Sequence, residues 1–241
     1  MRHVTIDRYA SHSSFYRLDP RAKIIAIIFS VIVVALLTDL LPLLISLMLG
    51  ILLLLMSNIP IRHIFKRYAI ALPFLSFASI SLYFYSGLLP SFAMFIRIST
   101  CVLLLILLSS TTPFFDLLKA SQHLKVPKLI LVLCMFLYRY IFVFTEEYQR
   151  MRIARSARAF SGGKHLLDKR GMQTISSACG MLLVRAYQRG IRIYDALLCR
   201  GYDGEIRTLT SLRFKAFDYA FCANLMMFSS FVLYVDRMVI V

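Results

Sequence analysis

Long apolar runs separated by short basic breaks dominate the first half of this chain. A helix needs about 20 mostly apolar residues to cross a bilayer, somewhat fewer where the bilayer thins. Five stretches meet that pattern: residues 24–37, 40–56, 69–89, 92–110 and 217–235. The first is short, and Thr38-Asp39 followed by Pro42 predicts a tight turn that joins it to the second as a hairpin. Pro90 closes the next pair. The pattern predicts an all-α polytopic membrane protein with about five transmembrane helices.

A different periodicity follows. Residues 129–144 are mostly apolar, but Arg139 interrupts them and Glu146-Glu147 follow. We read 129–160 as one long helix at the membrane interface with its second half exposed, and Glu146 and Glu147 in reach of Arg150. Arg139 is expected near the interface, paired with Glu146 or a lipid phosphate. Ser161-Gly162-Gly163 stops this helix. A second helix runs from about 174 to 200. At roughly 100° per residue, Arg185, Arg189, Arg192 and Arg200 share one face, and Leu183, Tyr187, Ile191, Tyr194 and Leu198 the opposite one. Gly201 is the expected residue just beyond its end.

Charge fixes the orientation. The formal charge is +16, although only 17% of residues are charged and 59% are hydrophobic. Such apolar content excludes disorder and makes a nucleic-acid binder a poor explanation of the basicity. Lys and Arg gather in the N-terminal arm, after the second span (Arg62, Lys66, Arg67) and after the fourth (Lys119, Lys125, Lys128), and are absent from residues 38–42 and 86–91. The positive-inside rule then puts the N-terminus in the cytoplasm. Residues 145–213 carry 13 Lys and Arg and belong inside as well, so 129–144 should not cross. The expected organisation is an arm at 1–23, a four-helix membrane region at 24–110, interfacial and cytoplasmic helices at 111–213 and a final span at 214–241. Val241 then lies outside.

Candidate chemistry is sparse. The cysteines (Cys101, Cys134, Cys179, Cys199, Cys222) and five histidines are scattered, without metal-ligand spacing. Gly162-Gly163-Lys164 fails as a phosphate loop, because Arg158 stands at the first glycine position and His165 replaces Ser/Thr. No catalytic constellation is present, so the chain reads as a non-enzyme with no cofactor of its own. Arg97, at the external end of its helix, reads as a snorkelling residue. Two features point to a docking task instead. Ala157-Arg158-Ala159 and Cys199-Arg200-Gly201 each set an arginine between small residues at the end of a basic helix. Small neighbours let a helix end approach a partner closely while the guanidinium reaches carboxylates or carbonyls. The face of Arg185, Arg189 and Arg192 suits that partner or anionic lipid headgroups equally.

These residues resemble the transmembrane T component of energy-coupling factor (ECF) ABC transporters, closest to the branch for cobalt or nickel uptake. The resemblance rests on Ile6-Asp7, Ser13-Ser14, Leu18-Asp19-Pro20-Arg21-Ala22-Lys23, Thr111-Thr112-Pro113, Arg139-Tyr140 with Glu146-Glu147, and above all the run from Arg185 to Gly204. The family's two Ala-Arg-Gly-like motifs look like the two small-flanked arginines, with Ala159 in place of Gly and Cys199 in place of Ala. The resemblance implies a non-catalytic coupling subunit. Its place would be the plasma membrane of a prokaryotic cell, and its partners two ATPase subunits that carry ATP and Mg, a metal-binding substrate-capturing membrane subunit, and lipids. The motif arginines would dock into grooves on the ATPases. A vitamin-type T component and a self-sufficient secondary transporter or channel are the alternative readings; the second requires paired intramembrane ionisable residues.

Overall fold

The computed structural model describes residues 15, 18–57, 59–124, 126–158, 169–202 and 216–240, and among them every regular element is a helix. In chain order these are α1 (Pro20–Leu36), α2 (Leu40–Met56), α3 (Ile61–Ser86), α4 (Leu88–Thr111), α5 (Phe114–His123), α6 (Lys128–Ala157), α7 (Lys169–Leu198) and α8 (Ala216–Ile240). They divide into two compact units, residues 1–125 with 210–241, and residues 126–209.

Prolines set the helix starts. Pro60, Pro113 and Pro127 each occupy the N-cap of the helix that follows, and a proline disfavours helical geometry in the residue before it. Pro20 instead opens α1, where its missing N–H costs nothing. Gly87, at φ 88°, makes the turn between α3 and α4, a left-handed conformation that glycine adopts without strain.

In the first unit α1 and α4 lie at the centre. Ile27, Leu37, Leu43 and Leu107 are almost completely buried, within a cluster that also includes Leu53, Ile96, Leu225 and Val232. By contrast Leu75 is the one buried residue of α3, and Phe74, Phe77 and Phe84 stand exposed. Apolar side chains facing outward around a packed centre suit lipid as the solvent.

Polar contacts tie α8 to α1 at both ends. At the start, the Asp19 N–H donates to Asp218 Oδ1 at 2.9 Å, and Asp19 Oδ1 accepts from the Arg21 N–H at 2.9 Å, capping α1. Midway, the Ser30 and Ser229 hydroxyls meet at 2.9 Å. At the far end, Asp236 accepts from the Thr38 and Asp39 N–H groups at 3.1 and 3.0 Å. The two helices are therefore parallel. Lys23 donates to the Thr111 carbonyl at 3.4 Å, which brings the end of α4 to the starting end of α1, and α5 packs there through Leu118 and Ala120.

Residues 114–123, in the basic segment after the fourth span, form the helix α5. Helix α1 has 17 residues, about 25 Å long. The helices long and apolar enough to cross a membrane are α3, α4, α6 and residues 217–238 of α8, with α2 a shorter apolar helix. Arg97 does not snorkel: its guanidinium donates to the Leu37 carbonyl at the end of α1, while Nε is buried without a partner. Sequence reading also missed Asp218 and Asp236, which are 2% and 4% exposed.

Candidate docking surface on the α6–α7 pair

Helices α6 and α7 run 30 residues each. Their contacts reverse direction along the chain: Glu147 pairs with Arg185, while Arg155, further along α6, donates to the Thr174 carbonyl at 3.2 Å, earlier in α7. The helices are antiparallel. Glu147 thus takes a partner on the neighbouring helix rather than Arg150. Arg139 is exposed on α6 and forms no ion pair among the described residues, so the expected pairing with Glu146 is absent.

The two small-flanked arginines occupy equivalent positions. Arg158 is the C-cap of α6, with φ −88° and ψ 20°, and its N–H donates to the Arg155 carbonyl at 3.1 Å. At the end of α7, the Tyr202 N–H donates to the Leu197 carbonyl at 3.1 Å and the Gly201 N–H to the Leu198 carbonyl at 3.0 Å. With Gly201 at φ 72°, these bonds form a Schellman motif, and they make Arg200 the C-cap. Both guanidiniums sit where helix dipoles leave partial negative charge, and both residues are exposed. Ala157 and Cys199 are exposed beside them. Ala159, the turn at 161–163 and Lys164 lie outside the described residues, as do the Ile6-Asp7 and Ser13-Ser14 motifs.

Because the pair is antiparallel, the caps stand at opposite ends of it. Arg158 lies beyond the Arg155–Thr174 contact, and Arg200 lies 26 residues past Thr174. At 1.5 Å per residue that separation is on the order of 40 Å.

The arginine stripe of α7 is less uniform than its helical spacing implies. Leu182, Ala186, Arg189, Ile193 and Leu197 are the half-buried positions, so Arg189 belongs to that face. Arg185 is held by Glu147, and Arg192 is exposed. Leu183, Tyr187 and Tyr194 are exposed by 73, 70 and 58%, an apolar face that nothing covers among the described residues. Large exposed apolar patches mark interaction surfaces.

Among the described residues no cluster of three or more His, Cys, Asp or Glu could hold a metal ion.

The family model described as "Cobalt transport protein", CbiQ, matches residues 11–212. An uncharacterized protein of Methanocaldococcus jannaschii is 26% identical over 97% of this chain and 87% of its own length. The cobalt transport protein CbiQ of Rhodobacter capsulatus is 31% identical over 43% of this chain and 41% of its own. A putative fused cobalt transport protein, CbiMQ, of Methanocorpusculum labreanum is 32% identical over 40% of this chain and 16% of its own. With most of its length matched, this helical, apolar chain belongs to the CbiQ cobalt transport protein family, the cobalt branch that its sequence resembles.

Proposed function

We propose that this chain is the non-catalytic coupling subunit of an ECF-type importer for cobalt or nickel ions. It links two ATPase subunits on the cytoplasmic side of a prokaryotic plasma membrane to a metal-binding membrane subunit. One observation carries the reading: Arg158 and Arg200 are both C-cap arginines, at opposite ends of one antiparallel helix pair. Two like anchors on a rigid element suit two like partners. A movement of one ATPase against the other would act on the pair through its ends. The metal is cargo for the partner subunit, and ATP and Mg belong to the ATPases.

The test is a set of arginine variants in the assembled complex. Truncating one partner of a buried charge pair costs about 2–5 kcal/mol. Arg158→Ala and Arg200→Ala are each expected to weaken recovery of the ATPase subunits or to uncouple ATP hydrolysis from metal uptake, with the double variant worse. Arg→Lys should rescue only in part, because an ammonium lacks the planar fork. Arg207→Ala, beyond the second motif, should change little. If all three positions behave alike, docking through the caps is rejected in favour of general charge attraction to lipid.

A further inference from the structure

Two concavities adjoin on the α6–α7 pair. The larger has a volume of about 670 Å³ and an apolar, largely aromatic wall that includes Leu133, Phe136, Tyr140, Ile193, Leu197 and Tyr202. Its size falls within the roughly 300–1,000 Å³ typical of small-molecule pockets. The smaller, about 280 Å³, is lined by Glu147, Arg185, Gln188, Arg189 and Arg192, with Phe144. Phe144 and Arg189 line both, so the apolar groove opens into a basic mouth. Glu147 neutralises Arg185. Arg189 and Arg192 form no ion pair among the described residues, so the mouth keeps two uncompensated guanidiniums.

We propose that this cleft binds one anionic phospholipid, with an acyl chain in the groove and the phosphodiester against Arg189 and Arg192. An apolar groove alone would take an acyl chain or a hydrophobic partner helix. The basic mouth separates them. A guanidinium fork matches phosphate oxygens, and a phospholipid places one such anion at the end of its chain. A helix lying in the groove relies on repeated apolar anchors and would bury the two cations unpaired. Gly190 keeps the wall open: it lines the groove, and a Cβ added there would meet nothing within 4 Å. The lipid site is separate from the cap arginines, so its failure would leave the docking reading untouched.

The experiment counts phospholipids retained by the purified full chain in neutral detergent, by native mass spectrometry. The chain is titrated with phosphatidylglycerol, phosphatidylcholine or glycerol 1-phosphate. One phosphatidylglycerol per chain is expected, retained at about one twenty-fifth of the phosphatidylcholine concentration, since each of the two arginines near an anionic headgroup contributes about fivefold. Arg189→Gln and Arg192→Gln should each erode that preference about fivefold. Gly190→Leu, which fills the groove and favours helix, should weaken both lipids together. Arg152→Gln removes the same charge from an exposed position on α6 and should leave retention unchanged; matching circular dichroism spectra confirm that each variant is folded. Equal retention of the two lipids, or equal loss from Arg152→Gln and Arg189→Gln, overturns the proposal. So does full competition by glycerol 1-phosphate with no effect of Gly190→Leu, which would mean headgroup binding alone. A membrane protein that shields the groove in lipid-depleted preparations, indifferent to Arg189→Gln, would assign the groove to a helix and overturn it too.

Discussion

Asp236 stands near the end of α8, where an apolar run would more simply continue. Its carboxylate accepts from the Thr38 and Asp39 backbone and, at 3.3 Å, from the Thr38 hydroxyl. Those N–H groups form the turn between α1 and α2, and in a lipid-facing bundle no water replaces a lost acceptor. Arg97 serves the same turn from α4, through the Leu37 carbonyl. The sequence offers an Asp near the end of an apolar helix as a signal, but not its partner, which is about 200 residues away. Hydrogen bonds to charged groups contribute about 1.5–3 kcal/mol each. Asp236→Ala is therefore expected to lose at least about 2 kcal/mol, or about 4–8 °C in Tm for a chain of this size. Asp236→Asn keeps one carbonyl acceptor and should lose less. Thermal unfolding in detergent measures both, and an unchanged Tm for the Ala variant would show that the carboxylate does not hold the turn.

At the scale of elements, Glu147 and Arg185 join α6 to α7, but their side chains are 20% and 46% exposed. Exposed pairs couple by less than about 1 kcal/mol. A double-mutant cycle of Glu147→Ala and Arg185→Ala, read by thermal unfolding, is expected to return a coupling below about that value; a much larger one would make this ion pair the main tie between the helices. The long elements were legible because apolar length and helical period are local properties. The end of α7 was legible too, since Gly201 signals a C-cap by its identity alone. The ten residues of α5 are amphipathic, with Leu118 and Ala120 buried, but too short to stand out as a span. The packing face of α7 was not legible in the sequence. Helical spacing gives the angle between residues, not the direction of the neighbour, and α6 meets the face that contains Leu182, Ala186 and Arg189. The two cap arginines were legible as helix ends, but their placement at opposite ends of one pair depended on the antiparallel contacts, which no local pattern encodes.

For the whole molecule, the parallel pairing of α1 and α8 bears on topology independently of charge. The chain leaves the first unit after α5, at the end where Asp19, Lys23 and Thr111 meet, and re-enters at the same end with Asp218. Any membrane crossings between those points must be even in number. Helix α6 is apolar enough to cross, yet α7, with arginines at 170, 185, 189 and 192, is not among the helices that are. A single crossing by α6 would force α8 to run against α1 and break the contacts at Asp218, Ser229 and Asp236. The contacts of the first unit therefore require an even number of crossings between α5 and α8, zero included. The positive-inside rule predicts a cytoplasmic location for the arginine-rich α6–α7 segment. A cysteine-free background separates the possibilities, with one site restored at a time: Leu88→Cys between α3 and α4, His123→Cys at the end of α5, or native Cys199. In intact cells expressing this chain alone, an impermeant thiol reagent is expected to label Leu88→Cys and to spare the other two until the membrane is permeabilised. Labelling of Cys199 together with Leu88→Cys, while His123→Cys stays protected, would mean that α6 crosses after all. The cap arginines would then face away from any cytoplasmic ATPase.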